Sequence, residues 1–246
     1  MVITSLDNEK VKKYVRLKEK KYRDIEDQFI VEGMHLVQEA YKKGLIEEII
    51  LEENEEITLD SPKVYVTKEI IKKISTLETP VNILALCNKM VPSYDYGNKL
   101  LLLDKIQDPG NLGTIIRSSK AFNVDTLVLG DETVDIYNPK VIRSTQGMMF
   151  HINIIHRNLK DFIFELKERN IPVYGTNVEH GEDIRTLNDK DKEKYALIMG
   201  NEGSGVSKEI LELCDQYIYI KMNHEVESLN VAIATSILLY ELDRRG

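Results

Sequence analysis

The chain has 246 residues, 42% of them hydrophobic and 30% charged, with a formal net charge of -8. This is the composition of a globular protein with enough chain to bury a core, and the negative balance excludes attraction to nucleic acid by overall charge. No apolar run approaches membrane-spanning length, "MVITSLDNEKVKK" has no apolar signal core, and Cys87 and Cys214 lie in apolar contexts as reduced core residues, so the chain reads as cytoplasmic with no membrane partner.

Between Met1 and Arg23, eight basic residues (Lys10, Lys12, Lys13, Arg16, Lys18, Lys20, Lys21 and Arg23) face three acidic ones. "NEKVKKYVRLKEKK" places Val11, Tyr14, Val15 and Leu17 at near-helical spacing. The cations are then a solvated helix face or a local phosphate-binding face. Screening confines fields to roughly 8–10 Å, so the overall charge does not decide between the two. "QFIVEG" follows as a strand, and "MHLVQEAYKKG" as a helix that stops at Gly44. "LIEEIIL", "KVYVT" and "VNILALC" are strands, and "KEIIKKIS" is a helix. "NKMVPSYDYGN" breaks the pattern with Pro92 and Gly97 and reads as a linker. The boundaries are a first domain at 1–90, a linker at 91–98 and a second domain at 99–246.

Beyond the linker the period changes. "KLLLLD" is a continuous apolar strand, the pattern of a parallel sheet buried on both faces. "DTLVLG", "FHINII", "IPVYGT", "YALIMG" and "QYIYIKM" complete six strands, with helical stretches between most of them. The alternation predicts an α/β domain with a mainly parallel sheet. Ligands of such sheets bind outside the carboxyl ends of the strands.

Three segments fall at those ends. "LLLLDKIQDPGNLGTIIRSSKAF" joins a rigid turn to a helix with Arg117 near its start, where a guanidinium can reach across the strand ends. In "LIMGNEGSGVSKEI", Gly200 and Gly205 have phosphate-loop spacing, but Val206 and Ser207 follow where that loop requires Lys. A nucleotide hydrolase is thereby disfavoured. The backbone N–H groups of this turn can cradle a carboxylate, a carbonyl or an adenine edge, or Ser204 can simply cap the next helix. In "IKMNHEVESLNVAIATSILLYEL", the polar Glu227, Ser228 and Asn230 precede an apolar helix, and Ser228 can cap it.

"DPGNLGTIIRSS", "IMGNEGSGVS" and "IKMNHEVESLNVAIA" resemble, in order and spacing, the three motifs of SpoU-type (TrmH-type) RNA ribose methyltransferases of the SPOUT superfamily. The resemblance covers Leu100 to Leu242, with "VIRSTQGMMFHINI" resembling the family's link between second and third strands. The segment up to Gly44, with "PVNILALCNK", resembles the attached substrate-binding domain, an α/β fold shared with ribosomal proteins that bind kinked RNA.

The resemblance implies a six-stranded, mainly parallel sheet with a deep C-terminal trefoil knot, and S-adenosylmethionine-dependent 2′-O-methylation of structured RNA. Ribosomal RNA is the first substrate class, with transfer RNA or a catalytically silent RNA-binding protein as alternatives. Its implied catalytic set is Asn111, Arg117, Glu202, Ser228 and Asn230. Its implied cofactor set is Thr176, Gly200, Ile220, Met222 and Leu229. Lys10, Lys12, Lys13, Arg16, Lys20, Lys21, Arg23 and Arg117 become RNA contacts. No metal is implied, and the five histidines (His35, His151, His156, His180, His224) lack ligand spacing. Two positions depart from the third motif: Lys221 stands where Pro is usual and His224 where Gly is usual, which puts the cofactor loop's path in doubt. The last helix carries Val231, Ile233, Ile237, Leu238, Leu239 and Leu242, too many faces for one sheet, and a homodimer through the knotted domain is expected.

Overall fold

The computed structural model describes residues 2–177 and 181–243. These form two compact units, one running to Val91 and including Asp135–Phe150, the other made of Pro92–Val134 and the chain from His151 onward.

The first unit opens with β1 (Val2–Ile3), α1 (Glu9–Arg16) and α2 (Lys20–Glu26). The helical spacing continued through Lys21, but the helix breaks after Arg16. The Arg23 guanidinium donates to the Leu17 and Lys18 carbonyls at 2.9 and 2.7 Å, so those carbonyls need no helical continuation. There follow β2 (Gln28–Glu32), α3 (Met34–Lys42), β3 (Ile46–Glu52), β4 (Lys63–Val66), α4 (Lys68–Ile74) and β5 (Ile83–Asn88). The sheet runs β1-β4-β3-β5-β2, parallel at its β1–β4 and β4–β3 pairs and antiparallel at β3–β5 and β5–β2. Val11 and Tyr14 of α1 pack on Ile50, Val66, Ile70 and Leu84.

The second unit contains β6 (Lys99–Leu103), α5 (Pro109–Ala121) and β7 (Thr126–Leu129). The chain then forms α6 (Pro139–Ser144), which belongs to the first unit. The domain expected at 99–246 is therefore interrupted, because its link segment is apolar and finds its partners elsewhere. Phe29 of β2 packs against Tyr137 and Phe150, with ring centroids 4.7 and 6.2 Å apart. Asp135 pairs with the buried Arg23 at 2.6 Å.

After this excursion come β8 (Asn153–His156), α7 (Leu159–Glu168), β9 (Val173–Thr176), β10 (Glu182–Asp183), β11 (Tyr195–Met199), α8 (Lys208–Leu211), β12 (Gln216–Tyr219) and α9 (Val231–Asp243). All strand pairs are parallel, in the order β10-β12-β9-β11-β6-β7-β8. The sheet has seven described strands instead of six. The extra one, β10, is two residues long, too short to carry a period. Leu100–Leu103 and Tyr195–Ile198 are fully buried, as a central parallel pair requires.

The stretch read as a linker is pinned within the second unit. Ser93 exchanges backbone hydrogen bonds with the Asn153 amide at 2.9 and 3.0 Å. Tyr96 is buried edge-on against Phe162 at 5.1 Å and accepts a bond from Arg157 at 2.9 Å. Helix α9 returns to pack on α5, where the Ser118 and Ser236 hydroxyls lie 2.7 Å apart and Phe122 meets Tyr240 edge-on. No helix among the described residues is long and apolar enough to cross a membrane.

Candidate functional site

Strands β6, β11 and β12 end side by side with β9, and the loops leaving them build the site. The loop after β6 enters α5 through Asp108, whose carboxylate accepts the Asn111 N–H at 2.8 Å, while Pro109 opens the helix. Asn111 is thereby held at the first turn of α5 with its amide free to face the neighbouring loop.

The loop after β11 is a tight turn closed by reciprocal Asn201–Gly205 backbone bonds, both 3.0 Å. The Asn201 side chain supports it from inside, accepting from Gly203 and Ser204 N–H and donating to the Lys105 carbonyl at 3.0 Å. A Cβ on Gly200 would collide with the backbone of Gly205 and Val206, and Gly205 has φ +69°. Both positions need glycine for steric reasons. Ser207, not Ser204, occupies the cap position of α8, and it makes no side-chain cap bond.

Glu202 projects from this turn toward α5. It accepts from Asp108 N–H at 3.2 Å and from the Asn111 amide at 3.1 Å. The Asn111 amide oxygen accepts in turn from the Asn230 amide at 3.0 Å. The Asn230 oxygen caps α9 through Ala232 and Ile233 N–H, so Ser228, the cap the sequence offered, does not fill that role. Three loops far apart in sequence are thus joined by one chain of side-chain bonds, Glu202–Asn111–Asn230. Partial burial raises the Glu202 pKa, but bonds from Asn111 and from the N–H groups of Glu202, Asp108 and Gln107 outweigh it and hold the carboxyl below its ordinary range. Glu202 therefore fixes the loop through Asp108 and Asn111.

Beside this chain lies an open cleft of about 260 Å³. Thr176, Gly200, Ile220, Met222 and Leu229 all line it, as do Glu202 and Ser228. Ile218, Val231 and Leu238 give it an apolar wall. A cleft with an apolar wall, a glycine turn and polar loop ends fits an adenosine-bearing cofactor. Lys221 and His224 are exposed and do not line it, so the two departures from the motif leave its wall intact. Sequence reasoning missed Asn201; its signal was a side chain with donor and acceptor beside a glycine turn that must be held open.

Arg117 stands one helical turn and a half beyond Asn111 on α5, exposed and without a partner among the described residues. It is the uncommitted cation of the motif set. Among the described residues no three His, Cys, Asp or Glu side chains could hold a metal; His180 lies outside the described residues.

The expected RNA contacts divide. Lys10, Lys12, Lys13 and Lys20 are surface residues paired with Glu48, Glu9, Glu26 and Asp24, and Arg16 and Lys21 lie over the Tyr22 ring at 5.7 and 5.8 Å. Arg23 is a correction. It is 3% exposed, committed to Asp135 and two carbonyls, and unavailable to a phosphate. Lys18 is also structural, donating to the Lys73 and Ser75 carbonyls at the end of α4 at 2.9 and 2.8 Å.

Comparison with known proteins gives the family. Residues 98–240 match the SpoU rRNA Methylase family, and residues 8–85 match the MRM3-like substrate binding domain. The chain is 40% identical over 245 residues to the 23S rRNA (guanosine(2553)-2′-O)-methyltransferase RlmP of Bacillus subtilis, covering 98% of each. It superposes on the AdoMet-bound rRNA methyltransferase of Sinorhizobium meliloti with TM-score 0.87 and 29% identity, covering 98% of this chain and 97% of that one. The SpoU methyltransferase AviRb of Streptomyces viridochromogenes, 23% identical, shares the fold with TM-score 0.87 over 96% of this chain and 97% of its own.

Proposed function

Since the chain belongs to the SpoU rRNA methylase family and is an S-adenosylmethionine-dependent RNA 2′-O-ribose methyltransferase, we propose that its target is a ribose in 23S-type ribosomal RNA. The carrying observation for the site is the Glu202–Asn111–Asn230 chain at the rim of the glycine-turned cleft. The substrate class rests on the full-length likeness to a 23S rRNA methyltransferase and on the substrate-binding domain.

Thr176, Gly200, Ile220, Met222 and Leu229 hold the cofactor, Gly200 by letting the turn that lines the cleft close on itself. When bound, the cofactor supplies an electrophilic methyl group on a sulfonium. Asn111, Ser228 and Asn230 orient the ribose and the loop so that the 2′-hydroxyl is in line with the methyl group, a positioning term of several orders of magnitude. Arg117 serves as a cation and hydrogen-bond donor and not as a base, since a guanidinium has no acceptor. It grips the RNA phosphate beside the target and stabilises the developing alkoxide, and the hydroxyl proton passes to water. The exposed basic residues of α1 and α2 hold RNA outside the site, and the chain works in the cytoplasm where that RNA is made.

The same reading makes the protein a homodimer. Ile233 and Tyr240 of α9 are each 52% exposed on the helix that packs against α5, an apolar face left uncovered by the chain itself. Light scattering on the intact chain decides this: a monomer at micromolar concentration removes the dimer.

The test of function is transfer of labelled methyl groups from S-adenosylmethionine to purified ribosomal and transfer RNA, with the modified ribose then mapped. Incorporation into 23S-type RNA is expected. Incorporation into transfer RNA alone overturns the substrate assignment, and cofactor binding without transfer to either leaves a silent RNA-binding protein.

A further inference from the structure

We propose that Glu227 makes the cleft selective for the charged sulfonium form of the cofactor over the neutral thioether left after transfer. This rests on the reading of the cleft as the S-adenosylmethionine site. Among the described residues lining the cleft there is no Lys, Arg or His, and there are two carboxylates, Glu202 and Glu227. Glu202 is committed to Asp108 and Asn111. Glu227 is not: it is exposed, and its carboxylate has no hydrogen bond or ion pair among the described residues. Among the described residues lining the cleft beside Ile220, Met222 and Leu229, the uncommitted charge is therefore negative.

The position of that charge favours the reacting end of the ligand. Glu227 immediately precedes Ser228 and Leu229, and three residues after it Asn230 bonds Asn111 at 3.0 Å. The loop that carries Glu227 is thus the loop tied into the hydrogen-bond chain at the rim. S-adenosylmethionine and S-adenosylhomocysteine share an ammonium and a carboxylate; they differ by one methyl group and the positive charge on sulfur. In the transfer the oxygen–carbon bond forms as the sulfur–carbon bond breaks, the electron pair stays on sulfur, and the hydroxyl proton leaves to water. A carboxylate near sulfur attracts the ligand before this event and loses the attraction after it. The device speeds exchange of spent for fresh cofactor. It does not lower the barrier, because it favours the charged ground state.

The test is calorimetric titration of the full-length protein with each of the two ligands, for wild type, Glu227→Gln and Glu227→Asp. Glu227→Gln is expected to weaken S-adenosylmethionine by between about twofold and fivefold, the range of a water-exposed charge pair, and to leave S-adenosylhomocysteine unchanged. Glu227→Asp restores the preference, and in wild type the preference shrinks as salt rises. Equal weakening of both ligands overturns the proposal, since it places the carboxylate at the shared ammonium, and so does an unchanged pair of affinities. A wild-type protein that binds neither ligand is a different failure, because it removes the cofactor reading of the cleft and this proposal with it. Matched thermal unfolding of the three proteins guards against a folding artefact.

Discussion

Arg23 and Arg117 are the same side chain in opposite settings. Arg23, in a sequence segment dense with cations, turns inward to Asp135 and two carbonyls. Arg117, in a segment with no other sign of charge clustering, stands exposed without a partner among the described residues. A buried guanidinium needs every donor satisfied, and the first unit supplies those acceptors. The lesson is that local charge density identifies neither the functional cation nor the structural one. What distinguishes them is whether the fold brings acceptors to the guanidinium.

The largest expected effect breaks the first half of this contrast. Arg23→Ala leaves the partly buried Asp135 without its cation and frees the Leu17 and Lys18 carbonyls, which should cost about 3–5 kcal/mol in urea unfolding. A loss below about 1 kcal/mol would place Arg23 back among ordinary surface cations. The second half is tested by Arg117→Ala. Methyl transfer should fall about 10²–10³-fold while cofactor affinity by calorimetry and unfolding midpoint stay at wild-type values. Wild-type turnover would remove Arg117 from the catalytic set.

Gly200→Ala carries the comparison from charge to shape. The new methyl group meets the Gly205 and Val206 backbone, so a destabilisation of about 1–3 kcal/mol is expected together with loss of cofactor binding. Intact binding would show that the turn opens without penalty. The double variant Lys20→Ala, Lys21→Ala should change stability by less than about 1 kcal/mol, yet reduce RNA affinity and flatten its salt dependence. An unchanged salt slope would move the RNA face away from α2.

The smallest effect concerns Asp24. Hydrogen bonds from Lys20 and then Lys89, each 2.8 Å, hold its carboxyl down at about 2. A depressed carboxyl adds stability above its unfolded value of about 3.9 and loses it as pH falls toward the folded value. Because Asp24 is half-exposed, the gain stays within about 0–1 kcal/mol. Asp24→Asn should cost up to about 1 kcal/mol near neutral pH, where the carboxylate is charged, and nothing once pH falls to about 2, so that part of the acid dependence disappears.

The sequence by itself determined the elements and the chemistry of the cleft. Leu100–Leu103 and Tyr195–Met199 announce a parallel sheet because strands buried on both faces must be apolar throughout. Gly200 was legible from its place in a strand, glycine turn and helix, whereas Asn111, Glu202 and Asn230 were singled out through the resemblance of the three motifs, and the structure adds the bonds that join them. Only the tertiary structure decided that Asp135–Phe150 packs with the first unit, that Arg23 is internal, that Asn230 and not Ser228 caps α9, and that a seventh strand exists. The physical reason is separation along the chain. Periodicity and sterics act over a few residues, whereas the acceptor that claims Arg23 lies 112 residues away, and no local pattern can announce a partner that folding alone brings within 2.6 Å.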